Sequence, residues 1–264
     1  MQVKPLNFTS HNIDYKERMY QAFDNRMIDS DGFGLPMTRF HCIEGYNEAL
    51  NKFNVKDFVR LGGESAVFEL QNNNILKMSA EKYTPFLSEY HAPEIDRGEI
   101  NLSREYRARN NTLNQYFDTN KIYYVVQEKG NPVRNSSEAL PLFQKAEKEG
   151  LYAYDFAPDQ FAFFETNKGK QVRCIDLGCI ADSKYPLARD LEVIEKMPAR
   201  NSCTPYGITY STVKKYFFDV LKNSDEIMNM VNTISAKLQN GENIFSIMNN
   251  FLSKFGKPVV GHIK

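Results

Sequence analysis

The sequence has no tryptophan, no net charge, no paired-cysteine motif and no long apolar run, and each absence removes a class of function. Lys+Arg and Asp+Glu both total 33 among 264 residues, so bulk charge does not draw the chain to a nucleic-acid backbone. The four cysteines, at 42, 174, 179 and 203, form no C-x-x-C pair. That argues against a zinc site or a disulfide framework and fits a reducing compartment. The longest apolar run, Ile122 to Val126, is far short of the roughly 20 residues a membrane-spanning helix needs. The polar N-terminus is not that of a signal peptide. A soluble, cytoplasmic protein is expected, with no nucleic-acid partner. No internal repeat and no low-complexity linker is visible. What is present is an aromatic content of 13%, all Tyr and Phe, which suits a folded globule, and enough length for one large domain or two lobes.

The stretch that organises the chain is 151–180. Asp155 opens D-F-A-P-D-Q and Asp176 opens D-L-G. Between them, Phe161 to Phe164 and Val172 to Ile175 flank a polar turn containing Gly169. This pattern reads as strand, turn, strand. A hairpin brings its ends together, so both carboxylates are expected at one cleft although 21 residues separate them. Two carboxylates and the Gln160 amide there suit a hard divalent cation held against phosphate oxygens.

These residues resemble the catalytic and metal-binding segments of the protein-kinase-like superfamily, in which H-R-D-L-x-x-x-N precedes D-F-G. Here Asp155 is followed by Pro158 and, five positions on, by Gln160 where the family has Asn; Asp176-Leu177-Gly178 follows. The resemblance implies that Asp155 orients the acceptor hydroxyl and takes its proton. It implies that Asp176 holds Mg²⁺ or Mn²⁺ and that Gln160 supplies an amide oxygen to a second ion. The position two after the catalytic aspartate is Ala157, which leaves serine/threonine and tyrosine specificity open.

A second segment carries the nucleotide chemistry. Residues 59–78 read as a β-meander, with Leu61-Gly62-Gly63-Glu64-Ser65-Ala66-Val67 at the first turn and Asn72-Asn73-Asn74 at the second. Glycines let the backbone approach a phosphate, and main-chain N–H groups supply donors. Lys77 stands between Leu76 and Met78, where a charge calls for a reason. The resemblance supplies one: Lys77 matches the V-A-I-K lysine that contacts the phosphates, and Val67 matches the valine over the adenine. Arg60 and Ser65 occupy the places of the first and third glycines, so Gly62, with Gly63 beside it, is the single match in that loop. The glutamate that would pair with Lys77 is assigned to Glu105, on a helix expected from Asn101 or Ser103 to Phe117 because Leu102, Tyr106, Leu113 and Phe117 share a face; Glu89 is the second choice. Glu128-Lys129-Gly130, after a strand at 122–127, resembles the hinge whose main chain binds adenine.

The remainder is read by periodicity. Residues 14–28 and 45–53 are expected helices of an N-terminal extension, 1–56, which braces the next lobe. A β-rich N-lobe with hinge, 57–130, and a helical C-lobe, 131–264, follow. The C-lobe contains a helix near 140–149 and apolar stripes at 213–221, 227–238 and 244–255. Residues 179–208 are expected to be an activation-like or substrate-facing loop, with no clear A-P-E motif; Met197-Pro198-Ala199-Arg200 and Thr204-Pro205-Tyr206-Gly207 are the nearest replacements. The fold expected is α+β, two-lobed and kinase-like. The eroded glycine loop and Gln160 are similar to the compact atypical kinases that intracellular bacterial pathogens secrete into host cells as effectors. The implied function is an atypical protein kinase moving the ATP γ-phosphate to a protein hydroxyl, with a host protein as substrate. The alternatives are a small-molecule phosphotransferase or nucleotidyl transferase, and a pseudokinase that only binds. Arg104 and Arg107, with Arg109, and Lys214 with Lys215, are candidate docking points for a polyanionic or acidic-protein activator.

Overall fold

The computed structural model describes residues 14–28, 42–62, 65–110, 115–153, 157–182, 184–196, 213–214, 216–217 and 219–262. They form an α+β structure that divides into two units, Met1–Val133 with Phe161–Ile175, and Arg134–Gln160 with Asp176–Lys264. The division differs from the expected lobe boundary. The hairpin at 161–175 leaves the second half of the sequence and belongs to the first unit.

In the first unit, α1 (Tyr15–Ile28) and α2 (Ile43–Ala49) precede β1 (Val55–Leu61), β2 (Ala66–Leu70), β3 (Ile75–Ser79), β4 (Glu94–Asn110) and β5 (Gln115–Gln127). These strands make one antiparallel sheet in the order β1-β2-β3-β5-β4. The alternation anticipated for the meander is real. Phe68, Leu76, Met78, Ile122 and Val126 are buried together with Met19, Ile43, Tyr46 and Leu50 of the two helices. Helices α1 and α2 therefore brace the sheet on one of its faces. Cys42 lies in this core, where burial pushes its thiol up to about 11, so it is not an activated nucleophile.

Where the helix was expected at 101–117, residues 101–110 and 115–117 are instead strand, in β4 and β5; residues 111–114 lie outside the described residues. Ile100, Leu102 and Ala108 enter the core at even spacing, the period of a strand. A bulge misled the periodicity. Asn101 pairs with Lys121 and Tyr106 with Thr119, so residues 102–105 stand opposite Asn120 alone. The carboxylate of Glu48, on α2, gathers this bulge. It accepts the Ser103 N–H at 2.6 Å, the Ser103 hydroxyl at 2.9 Å and the Tyr106 hydroxyl at 2.7 Å. Local residues with good helix propensity were overruled by pairing and burial.

A smaller sheet, β6-β8-β9, completes this unit, from β6 (Asn131–Pro132), β8 (Phe161–Thr166) and β9 (Gly169–Cys174). Asn167 and Lys168 form the β8–β9 turn, and Gly169 leaves it at φ +86°, a conformation glycine adopts without strain. The segment Tyr90–Ala92 runs along β9: the Ala92 N–H donates to Cys174 O and the Cys174 N–H to Tyr90 O, both at 2.7 Å.

The second unit contains α3 (Leu140–Lys148), β7 (Tyr152–Ala153), β10 (Ile180–Ala181), α4 (Lys184–Lys196), α5 (Ser224–Gln239) and α6 (Ile244–Lys254); residues 213, 214, 216 and 217 are also helical. Asn135 and Glu138 build a capping box ahead of α3, and Asn223 and Asn243 cap α5 and α6. The core joins Leu187, Leu191 and Ile194 of α4 to Phe217, Val231, Ile234, Phe245 and Met248. Helix α4 corrects the expectation of a loop at 179–208 for its described part. Pro186 sits in its first turn, where no intrahelical N–H is needed. Both candidate A-P-E replacements lie outside the described residues.

Candidate functional site

In the first unit, Lys77 lies on the central strand β3. Its strand neighbours are Val67 on β2 and Val125 on β5, and Val125 is opposite Arg97 on β4. Directly paired residues share a face, so Lys77 projects from the face opposite the helix-covered core. That face is not open there: Val125 is fully buried and Val67 is 9% exposed. The Lys77 ammonium donates to the main-chain carbonyl of Ile175. Ile175 directly precedes Asp176-Leu177-Gly178 in the chain.

Neither candidate glutamate is on a helix. Glu105 is an exposed residue of β4, within the bulge and eight positions beyond Arg97, the residue in Lys77's own row. At about 3.3 Å per residue it is too far along the strand to be Lys77's partner. Glu89 is exposed in the turn before β4.

The loop between β1 and β2 closes tightly. The Gly62 N–H donates to Ser65 O at 2.7 Å, and the Tyr83 hydroxyl donates to Ser65 Oγ at 3.1 Å. Gly63 lies outside the described residues. After β5, the Glu128 N–H donates to Pro93 O at 2.9 Å. The Lys129 ammonium joins that of Lys56 on the Glu69 carboxylate, each at 2.7 Å. The Lys129 side chain thus has a structural partner. A cavity of about 180 Å³ at β4 and β5 is lined by Tyr83, Arg97, Tyr123 and Tyr124. Its guanidinium is already taken: Arg97 is bonded to the Glu94 carboxylate and to Thr84 O, so it offers little to an anion.

In the second unit, Asp176 opens a turn. Its Oδ1 accepts the Gly178 N–H at 2.9 Å, and its carbonyl accepts the Cys179 N–H. The carboxylate is exposed while Leu177 and Cys179 are 2% exposed, so burial of the neighbours fixes the turn and leaves the acid at the surface. Gln160 ends a 3-10 turn, Pro158–Gln160, and its Oε1 is buried with no hydrogen-bond partner among the described residues. Strand β7 pairs antiparallel with β10, Ala153 opposite Ile180. The chain therefore leaves this ladder toward 154 at the same end at which it arrives from Asp176-Leu177-Gly178. Asp155 itself lies outside the described residues.

Motif spacing singled out Lys77, Asp176 and Gln160 in the sequence. It missed the Lys77–Ile175 bond and the Glu48 clamp, both of which join residues far apart in sequence. Among the described residues, no group of three or more His, Cys, Asp or Glu side chains forms a metal cage. None of their helices is long and apolar enough to cross a membrane. No protein-family model matches the chain, and no curated protein matches it.

Proposed function

We propose that the chain is an ATP-dependent phosphotransferase of the kinase-like type, moving the γ-phosphate to a protein hydroxyl. The observation that carries this reading is Lys77. A cation in a central strand, flanked by fully buried residues, is held by the carbonyl directly before Asp176. A lysine fixed in position on a central strand beside the start of the D-L-G segment stands where a phosphate-holding lysine is needed. The β7–β10 ladder adds support, since it joins the chain around the two aspartate motifs.

In this reading Lys77 binds the phosphates and the Gly62–Ser65 turn lies over them. Asp176, exposed and with one oxygen tied to Gly178, holds Mg²⁺ or Mn²⁺. Gln160 contributes its unpartnered amide oxygen. Such ions are ordinarily held by one or two carboxylates plus substrate phosphates and water, so a set without a three-carboxylate cage fits. The bound ion supplies neutralisation of charge on the phosphoryl oxygens. Asp155 orients the acceptor hydroxyl and accepts its proton. A host protein as acceptor, reached by secretion, is the substrate class we favour.

The test is incubation of purified protein with γ-labelled ATP, Mn²⁺ and host-cell extract, beside Asp176→Ala. Label transferred to protein by the wild type and not by the variant is expected. No transfer, together with a melting temperature unmoved by saturating ATP plus metal, would remove the proposal, because a ligand of the native state must stabilise it.

A further inference from the structure

The cavity of about 180 Å³ at β4 and β5 has no part in the reading above. It lies at the margin of the sheet, because β4 is an edge strand. Tyr83, Tyr123 and Tyr124 line it together with Gly98. Tyr124 is the register partner of Gly98, and a Cβ on that glycine would meet Tyr124 Oη at 2.9 Å and Cε1 at 3.0 Å. A glycine inside a strand marks such a close approach. Polar groups in the wall are engaged with other residues. The Tyr124 hydroxyl donates to Asp96 Oδ2 at 3.0 Å, Arg97 is bonded to Glu94 and Thr84 O, and Glu99 is paired with Lys121 at 2.6 Å. A charged guest would compete with these pairs and lose hydration, whereas tyrosine rings favour another ring, offset or edge-on. A cavity of about 150 Å³ holds benzene, so this one has room for a single six-membered ring. Tyr83 connects the cavity to a second place. Its ring lines the wall, and its hydroxyl donates to Ser65 Oγ at 3.1 Å, in the β1–β2 turn.

We propose that this cavity binds a small uncharged aromatic molecule, and that the bound ring, packed on Tyr83, holds the Tyr83–Ser65 bond and so steadies the β1–β2 turn. The consequence for ATP rests on the phosphotransferase reading, which places that turn over the phosphates; binding of the ring does not.

The experiment titrates benzyl alcohol into the full chain and follows backbone amides in ¹H–¹⁵N spectra. Saturable shifts of Gly98 and Tyr123 are expected, with a Kd of about 1 mM for a ligand of this size, and the Ser65 amide should shift with the same Kd. Benzoate tests charge, since exposed Lys82 also lines the cavity; it should bind no more tightly than benzyl alcohol, and tighter binding overturns the uncharged class. A blocked Gly-Phe-Gly peptide that binds more tightly at Gly98 overturns the small-molecule assignment. Gly98→Val displaces the Tyr124 ring and should weaken benzyl alcohol about tenfold or more. Should it not fold, Tyr123→Ala, which removes one wall, should do the same. Tyr83→Phe keeps the ring and removes the bond, so Gly98 should still shift and Ser65 should not. With ATP and Mg²⁺, saturating benzyl alcohol should lower the Kd for ATP about threefold in wild type and not in Tyr83→Phe, the worth of part of one hydrogen bond. No shift at Gly98 and Tyr123 up to solubility overturns the site. An unmoved Ser65 amide with the ring bound overturns the connection. If ATP does not bind at all, the phosphotransferase reading falls while the Gly98 and Ser65 shifts still decide this inference.

Discussion

Gly130 offers the sharpest quantitative test of how the first unit is built. It ends the segment that resembles a hinge, where a glycine suggests flexibility. The structure assigns it a different reason. A Cβ on Gly130 would stand 2.6 Å from Ala162 Cβ and 2.6 Å from Phe164 Cζ. Carbon atoms pack at about 3.5–4.0 Å, so roughly 1 Å of movement is required. Little is free to move. Ala162 is 4% and Phe164 3% exposed, and β8 is held between Pro132 on β6 and Arg173 on β9. Overpacking of this kind costs about 1–3 kcal/mol, and the rigid surround places Gly130→Ala near the upper end. For a unit of roughly 150 residues, about 4 °C is lost per kcal/mol, so the first unit's melting temperature should fall by roughly 8–12 °C. Circular dichroism melts of the full chain read this directly. Ala162→Gly in the same molecule removes one side of the clash, so the double variant should be less destabilised than the sum of the singles. A Gly130→Ala protein melting within about 2 °C of wild type, with no coupling to Ala162→Gly, would refute the close packing of the 128–132 segment on β8.

Other expectations concern charge and chemistry. Asp176→Ala should abolish metal-dependent stabilisation by ATP, whereas Asp155→Ala should keep it and lose transfer; equal loss of ATP by both variants would overturn the role assignment. The Tyr106 hydroxyl, then the Ser103 N–H, holds the Glu48 carboxyl below its usual value. A lowered folded-state pKa means stability that is present above the unfolded value, about 4.3, and lost as pH falls through the folded one. Melting curves from pH 7 to 3 should therefore show an acid-side loss that Glu48→Gln lacks; identical curves would contradict it. Lys129→Ala should alter neither melting temperature nor ATP affinity measurably, since exposed ion pairs contribute little; a large loss of ATP affinity would return its side chain to the nucleotide site. Arg104 stacks over the Tyr106 ring at 4.7 Å, and both Arg104 and Arg107 are exposed on β4. If host extract activates through them, Arg104→Ala/Arg107→Ala should lose that activation, and added salt should weaken it in wild type; activation unaffected by either would end the idea.

Much of this protein is determined by the sequence alone. The N-terminal helix, the β1–β2–β3 meander, the hairpin at 161–175 and the last two helices are each specified within a short window, by apolar spacing and by Gly or Asn at the turns. The choice of Lys77, Asp176 and Gln160 also came from local spacing. The tertiary structure decided what local spacing cannot. Leu102 and Tyr106 are four apart, a separation compatible with a helix face or with one side of a strand; pairing with β5 and burial against α2 selected the strand. Residues 184–196 were expected in a loop, yet they form a helix whose start is marked by Asp182 Oδ1 accepting the Lys184 N–H. Lys77 finds its partner 98 residues away, and Glu48 finds Ser103 55 residues away. Such contacts depend on which surfaces remain after the sheet has assembled, and no window of the chain contains that information. Gln127 shows the same limit: a glutamine at a strand end looks ordinary, and only the structure shows it 1% exposed with Nε2 unpartnered among the described residues.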